Sequence, residues 1–185
     1  VAAETLEIAE HAIGLIEVDY EELTAVFTPE EAVREGAPQL YEHAVDNIAR
    51  HWEIVLGELE AGFSDADFIF EGTYETQRVH TCYMEPRMVV VDSDYQGHLT
   101  VYSSNQQIFG LREKLAYALG IPQTRITVVK PPYIGGGFGG KLDLGHIEPI
   151  AALLSMKCRK PVRIEQTRYE DFITTTRHPS KVTLK

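Results

Sequence analysis

Five glycines fall within the six positions from Gly135 to Gly140, interrupted only by Phe138 and followed by Lys141. Glycine loses more conformational freedom on folding than any other residue, so such a run implies that side chains there would obstruct something. A bare turn between a strand and a helix needs one or two glycines. The surplus points to backbone N–H groups approaching an anion or an oxygen-rich ligand. The segment is therefore expected to be a backbone-lined loop on a folded scaffold, ahead of a helix.

The rest of the chain can supply that scaffold. It has 185 residues, 44% hydrophobic and 24% charged, which is ordinary globular composition. Lys and Arg number 17 against 28 Asp and Glu, so the formal charge is 17 − 28 = −11. With a pI near 5.1, nucleic acid is not the expected partner, because phosphate binding needs a cationic surplus. Two cysteines do not make a disulfide framework, and an unstapled fold suits a reducing, cytoplasmic compartment. No apolar run reaches the ~18 residues of a membrane span, and no signal peptide opens the chain. Val1-Ala2-Ala3 carries no initiator Met, and Lys181 to Lys185 alternates like a strand with no turn after it. Both ends are therefore expected to be cuts within a longer polypeptide.

Periodicity organises the chain. Leu6, Ala9, Ile13 and Ile16 recur at helical spacing, and Ile16 to Tyr20 then alternates like a strand. Thr28-Pro29-Glu30-Glu31 has the Thr cap, the first-position Pro and the Glu of a capping box. Residues 36–62 show poor periodicity and read as a linker with local structure around Ile54-Val55-Leu56. Beyond Phe63 the pattern sharpens into a strand within Asp67–Gln77 and a hairpin of Met88–Asp92 and Leu99–Tyr102 about Gly97. Ile108, Leu111, Leu115 and Leu119 mark a helix ending at Gly120, and Arg125 to Lys130 is a β-branched strand. A helix through Ile150, Ala151, Leu153 and Leu154, a strand at Val162–Ile164 and a helical turn at Tyr169–Phe172 follow the glycines. Strands and helices alternating after a hairpin predict a mixed α+β fold.

Three readings compete for the glycine run. As a P-loop it supplies GxxxxGK from Gly135 to Lys141, but Leu142 stands where Mg²⁺ coordination requires Ser or Thr. As a dinucleotide fingerprint it supplies GxGxxG between strand and helix, with Glu165 near the end of the next strand. Against that, Pro131-Pro132-Tyr133 interrupts the tight turn such a fingerprint requires. In either form the protein would be a nucleotide- or anion-binding module using the Gly135–Gly140 loop, without redox chemistry.

The third reading is a resemblance that covers most of the chain. The order Val101-Tyr102-Ser103-Ser104-Asn105-Gln106, Leu119-Gly120-Ile121-Pro122, Arg125-Ile126 and Gly135 to Lys141 resembles the molybdenum-binding subunit of the xanthine dehydrogenase/aldehyde oxidase family. Arg159-Lys160-Pro161-Val162-Arg163 and Thr176-Arg177-His178-Pro179 continue the likeness. Gln77 to His80 with Met84-Glu85-Pro86 is similar to the segment that opens the family's molybdopterin domain, and Glu17 to Leu23 to the last strand of the domain before it. The resemblance implies the end of a small α/β hammerhead-like domain in residues 1–35, a linker in 36–62, and the truncated N-terminal portion of a molybdopterin-binding domain in 63–185.

It also implies roles. Gln106 would hydrogen-bond an oxygen-type ligand of molybdenum, and Gly137, Phe138 and Gly139 would meet the cofactor through backbone N–H groups. Such donors stabilise oxo and dithiolene ligands without competing for the metal. Leu142 would line the substrate pocket; purine-oxidising members carry Glu there, so Leu142 implies an aldehyde or aromatic N-heterocycle. The family's catalytic Glu lies beyond Lys185, so no catalytic residue is expected here and the fragment itself is expected to be inactive. The implied cofactor is molybdopterin with molybdenum, for which a cytosine dinucleotide form would suit a bacterial source. A 2Fe-2S cluster and FAD are expected on other domains or subunits, since no cluster-binding cysteine pattern occurs here. The implied partners are the remainder of the molybdenum subunit, those iron–sulfur and FAD domains, and a small-molecule substrate.

Other residues carry blander expectations. Gln106 taken alone could cap the helix that begins near Ile108. His80, Cys82 and Glu85 cluster closely, but Cys82 has no partner at ligand spacing, so packed, hydrogen-bonded roles are expected. His146 and Glu148 are two positions apart and fall on different helix faces, which disfavours a paired acid–base role. The acidic run Glu17 to Glu22 reads as a solvated strand end.

Overall fold

The structure, a computed structural model, describes all residues from Val1 to Lys185. Two compact units divide the chain, Ala3–Phe70 and Glu71–Lys185.

The first unit is built from local devices rather than a core. Helix α1 (Leu6–Ile13) is capped by Thr5, whose hydroxyl accepts the Ile8 N–H at 3.3 Å. Helix α2 (Pro29–Ala32) has the expected capping box: Thr28 Oγ1 accepts the Glu31 N–H, and Glu31 Oε2 accepts the Thr28 and Phe27 N–H groups. Those backbone donors, Phe27 first, hold the Glu31 carboxyl below its ordinary pKa. A 3₁₀ turn at Val45–Asn47 and helix α3 (Leu59–Ser64) complete the unit, in which Ala44 is the one buried residue. The strand expected at Ile16–Tyr20 is not formed; these residues have no regular structure. Ile54–Leu56 likewise has no regular structure.

The second unit carries a mixed four-stranded sheet in the order β4-β3-β2-β5. Strands β2 (Met88–Ser93) and β3 (Leu99–Ser103) form the expected hairpin, with Gly97 at φ 79° in its turn. Strand β4 (Ile126–Val129) lies parallel to β3, and β5 (Val162–Glu165) antiparallel to β2. Alternation puts Val89, Val91, Leu99 and Val101 on one buried face. Helices α4 (Ile108–Leu119) and α5 (Ile147–Cys158) cover that face with Leu115, Ala116, Ile147, Ala151 and Ala152. Helix α4 ends as expected at Gly120, in the left-handed conformation at φ 65°. On α5 the buried stripe differs from the expected one: Ile150 and Leu153 are exposed, and Ile147, Glu148, Ala151, Ala152 and Ser155 face inward. Helix α6 (Arg168–Thr174) follows β5.

Strand β1 covers only Gly72–Thr76, less than the expected Asp67–Gln77, and pairs antiparallel with β6 (Ser180–Leu184) in a separate ribbon. Gly72 pairs with Leu184 at the end of β6. No helix is long and apolar enough to cross a membrane.

Candidate functional site

Strands β3, β4 and β5 run one way and β2 runs against them. The segments leaving Ser103, Val129 and Glu165 therefore gather at the end of the sheet where β2 begins. Open sheets place ligands beyond the carboxyl ends of parallel strands for this topological reason. Here that end brings together Gln106, after β3, and the glycine run, after β4.

Their contact is specific. The Gln106 N–H donates to the Lys141 carbonyl at 2.9 Å. Gln106 Oε1 accepts the N–H groups of Gly139 and Lys141, both at 3.2 Å. An atom that receives two N–H donors must be the amide oxygen, so the carboxamide NH₂ points away from the loop. That NH₂ makes no hydrogen bond within the chain, and Gln106 is exposed. Gln106 does not cap α4; Gln107 holds that position, with no side-chain cap.

Clearance and backbone sign account for the glycines. A Cβ on Gly137 would lie 2.4 Å from Gln106 Oε1, one on Gly135 2.5 Å from Glu85 Cβ, and one on Gly140 2.6 Å from Thr81 Oγ1. Gly136 and Gly139 have φ of 94° and 87°. Packing by the chain itself thus replaces the expected need for a ligand to explain the surplus. The loop N–H groups are also partly committed: Gly135 to Glu85, Gly139 and Lys141 to Gln106, and Gly140 to Gly137 O. Gly137 and Phe138 keep theirs free of partners in the chain. Phe138 adopts φ 47°, unusual for a non-glycine residue, and the residue is 73% exposed. Leu142 sits at the loop's rim, partly exposed.

Beneath the loop lies a buried polar layer that patterning did not reveal. Lys141, fully buried, places Nζ 2.8 Å from Glu85 Oε2 and 4.5 Å from the centroid of the Tyr83 ring. Glu85 Oε2 also accepts the Gly135 N–H at 2.9 Å. The Tyr83 hydroxyl donates to Asp171 Oδ1 at 2.7 Å, and burial first, then that carboxylate, pushes the phenol pKa up. Arg87 donates to the carbonyls of Gly140 (2.8 Å) and Asp143 (3.0 Å) and pairs with Glu148. The one legible signal was a charged residue inside an apolar run, as at Glu148 among Ile147, Pro149 and Ile150.

The remaining candidates make separate contacts. The Cys82 N–H donates to His80 Nδ1 at 2.9 Å, and His80 stacks on Phe172 with ring centroids 4.4 Å apart. No three His, Cys, Asp or Glu residues converge on a metal-binding geometry. His146 contacts Gln166 while Glu148 is held by Arg87, so they form no pair. A dinucleotide site is excluded by topology: β4 and β5 lie on opposite edges of the sheet, and exposed Glu165 pairs with Arg163. A polar cleft of about 240 Å³ opens beside Gly139 and Gly140, lined also by Arg87, His146, Gln166 and Thr175. Gln106, Phe138 and Leu142 do not line it.

At the carboxyl ends of β3 and β4 a glycine loop clasps the Gln106 carboxamide. The chain belongs to the molybdopterin cofactor-binding domain family, whose model matches residues 40–185. It is 42% identical to a probable xanthine dehydrogenase subunit of Bacillus subtilis, over 100% of this chain and 24% of that protein. It is 35% identical to the nicotinate dehydrogenase large molybdopterin subunit of Eubacterium barkeri, over 97% of this chain and 41% of that one. Among solved structures, the aldehyde oxidoreductase of Desulfovibrio gigas shares the fold with a TM-score of 0.86, at 24% identity over 98% of this chain and 20% of its own. The chain thus spans about a quarter and two-fifths of the length of these two curated relatives.

Proposed function

We propose that the full-length protein is a molybdenum hydroxylase of the xanthine dehydrogenase/aldehyde oxidase type, and that this chain forms one wall of its molybdopterin site. The carrying observation is the Gln106 carboxamide, locked by Gly139 and Lys141 so that only its NH₂ faces outward. The residues present fit such a group. They offer neutral donors, the Gln106 NH₂ and the Gly137 and Phe138 N–H groups, to oxygen- and sulfur-rich ligands, and no thiolate, imidazole or carboxylate to displace them.

When bound, the molybdenum–pterin centre supplies the two-electron oxidation of an electrophilic carbon. The chain's own work is positional. Gln106 orients ligand oxygen by donation, Phe138 holds the loop's turn toward solvent, and Gly139 commits its N–H to fixing Gln106. Leu142, apolar and partly exposed at the rim, favours an aldehyde or an aromatic N-heterocycle over a polar purine. The nicotinate enzyme's name supports the heterocycle class, while the Bacillus relative's name points to purines, so substrate profiling is the informative assay. The proposal extends to a cytosine dinucleotide form of the cofactor and to 2Fe-2S and FAD centres on other domains or subunits. It places the hammerhead-like end in residues 1–35 and the assembled enzyme in the cytoplasm.

The test is metal and pterin analysis of the full-length, partner-assembled protein, with Gln106→Ala as the variant. Molybdenum and pterin in the parent, and a fall in turnover of roughly 10- to 100-fold in the variant, are expected. An intact protein that lacks molybdenum and binds NAD or ATP tightly would sink the reading.

A further inference from the structure

Gln106 is held by backbone N–H groups, and the question is what holds those. Lys141 contributes the second of them, and its side chain passes into the buried layer to meet Glu85 at 2.8 Å, fully shielded from solvent. The same Glu85 oxygen receives the Gly135 N–H at 2.9 Å, and the Glu85 N–H donates to the Gly135 carbonyl at 3.2 Å. One carboxylate therefore ties the first glycine of the loop to the lysine that ends it. Clearance at Gly135, where a Cβ would fall 2.5 Å from Glu85 Cβ, shows how closely this staple sits against the backbone. The Tyr83 ring, 4.5 Å from the ammonium, closes its other side.

We propose that Glu85 and Lys141 are a positioning pair: by pinning both ends of the glycine loop they fix the N–H groups that orient the Gln106 carboxamide. This rests on the reading of Gln106 as a cofactor-facing donor. Neither residue reaches the Gln106 NH₂; the pair acts through the backbone. Lys141 is fully buried while the Glu85 side chain stays 31% exposed, and fixing a unique geometry, rather than adding net stability, is a role such a half-buried pair can serve. A flexible glycine-rich loop has few other means of keeping its N–H groups in register, because its residues lack side chains to pack.

The test is a cycle in the full-length enzyme, with Lys141→Met, the double variant Glu85→Gln/Lys141→Met, Gln106→Ala, and Gln106→Ala added to each. The double variant leaves no half-buried carboxylate without its partner, so its thermal midpoint recovers toward the parent value relative to Lys141→Met. Its kcat is expected to stay low by roughly 10- to 100-fold with little change in KM. In the Gln106→Ala background the same substitutions should lower kcat no further, since their effect passes through that carboxamide. Hydrogen exchange of the peptide covering residues 135–141 should quicken in the pair variants at unchanged molybdenum content.

Additive losses across the cycle, or activity that recovers along with the thermal midpoint, would overturn the positioning role. Unchanged exchange in the loop would overturn it too. A protein without molybdenum defeats the functional reading alone, and the exchange experiment still decides whether Glu85 and Lys141 order the loop.

Discussion

Arg87 and Glu148 form an ion pair almost wholly removed from solvent, Nη1 to Oε1 at 3.4 Å, tying the start of β2 to the first turn of α5. The Ser103 hydroxyl donates to the same carboxylate oxygen at 3.1 Å. Gly145 closes over both: a Cβ there would lie 2.4 Å from Arg87 Nη1 and 2.7 Å from Glu148 Oε2. Arg87→Met in the full-length protein leaves a carboxylate buried without its countercharge. The expected loss is about 3–5 kcal/mol in denaturant unfolding. Arg87→Met with Glu148→Gln should lose less, because no charge is stranded. A single variant as stable as its parent would show that water reaches the pair and that the layer under the loop is not dry.

Gly137→Ala tests the contact between loop and carboxamide directly. The new methyl falls 2.4 Å from Gln106 Oε1 and 2.6 Å from its Cδ, so one partner must move. Gln106 is exposed and can swing away, which limits the stability cost to about 1–3 kcal/mol. Its orientation is lost, so turnover of the loaded enzyme should fall as far as in Gln106→Ala. Equal kcat in Gly137→Ala and the parent would mean that the carboxamide's direction does not matter.

Legibility in the sequence followed the range of the interaction. The hairpin about Gly97, the stop of α4 at Gly120 and the Thr28–Glu31 capping box rest on contacts within a few residues, and each is where the pattern put it. Ile16–Tyr20 alternates as a strand does, yet alternation reports two faces and not a partner. On α5, apolar Leu153 and Ile150 looked like core while Glu148 and Ser155 did not. The real stripe is set by Arg87 and by the Ser93 N–H, which donates to Ser155 Oγ at 3.0 Å. The family resemblance singles out Gln106 and the glycine loop, which the fold brings into contact, but nothing in the sequence marks the layer of Tyr83, Lys141, Glu85 and Asp171. Its partners lie as far apart as Tyr83 and Asp171, and no local pattern records a pairing at that distance.

Tyr83 makes stability depend on alkaline pH. Burial raises its folded pKa above the ordinary value of 10.0, so the neutral phenol is favoured in the folded state. The resulting stabilisation is fully present below pH 10 and is lost as pH rises through the folded pKa. Tyr83→Phe removes the donor to Asp171 and should cost about 1–3 kcal/mol at neutral pH. It also removes the ionising group, so the gap to the parent should narrow above pH 10. Thermal unfolding of both proteins between pH 7 and pH 11 checks this, and parallel curves over that range would contradict the assignment.

The same substitution should have opposite signs at two helix glycines. Gly120 sits at φ 65° after α4, where its N–H reaches the Ala116 and Tyr117 carbonyls. Alanine in that conformation meets its own following carbonyl, so Gly120→Ala is expected to cost about 1–2 kcal/mol. Gly62 lies inside α3 with open space around the position of a Cβ. There alanine removes only unfolded-chain freedom, and Gly62→Ala should stabilise the helix by about 0.5–1 kcal/mol. Hydrogen exchange of peptides spanning α3 and the end of α4 reads the two effects separately: slower exchange in the first, faster in the second. A change of one sign in both would mean that backbone conformation is not what distinguishes these glycines.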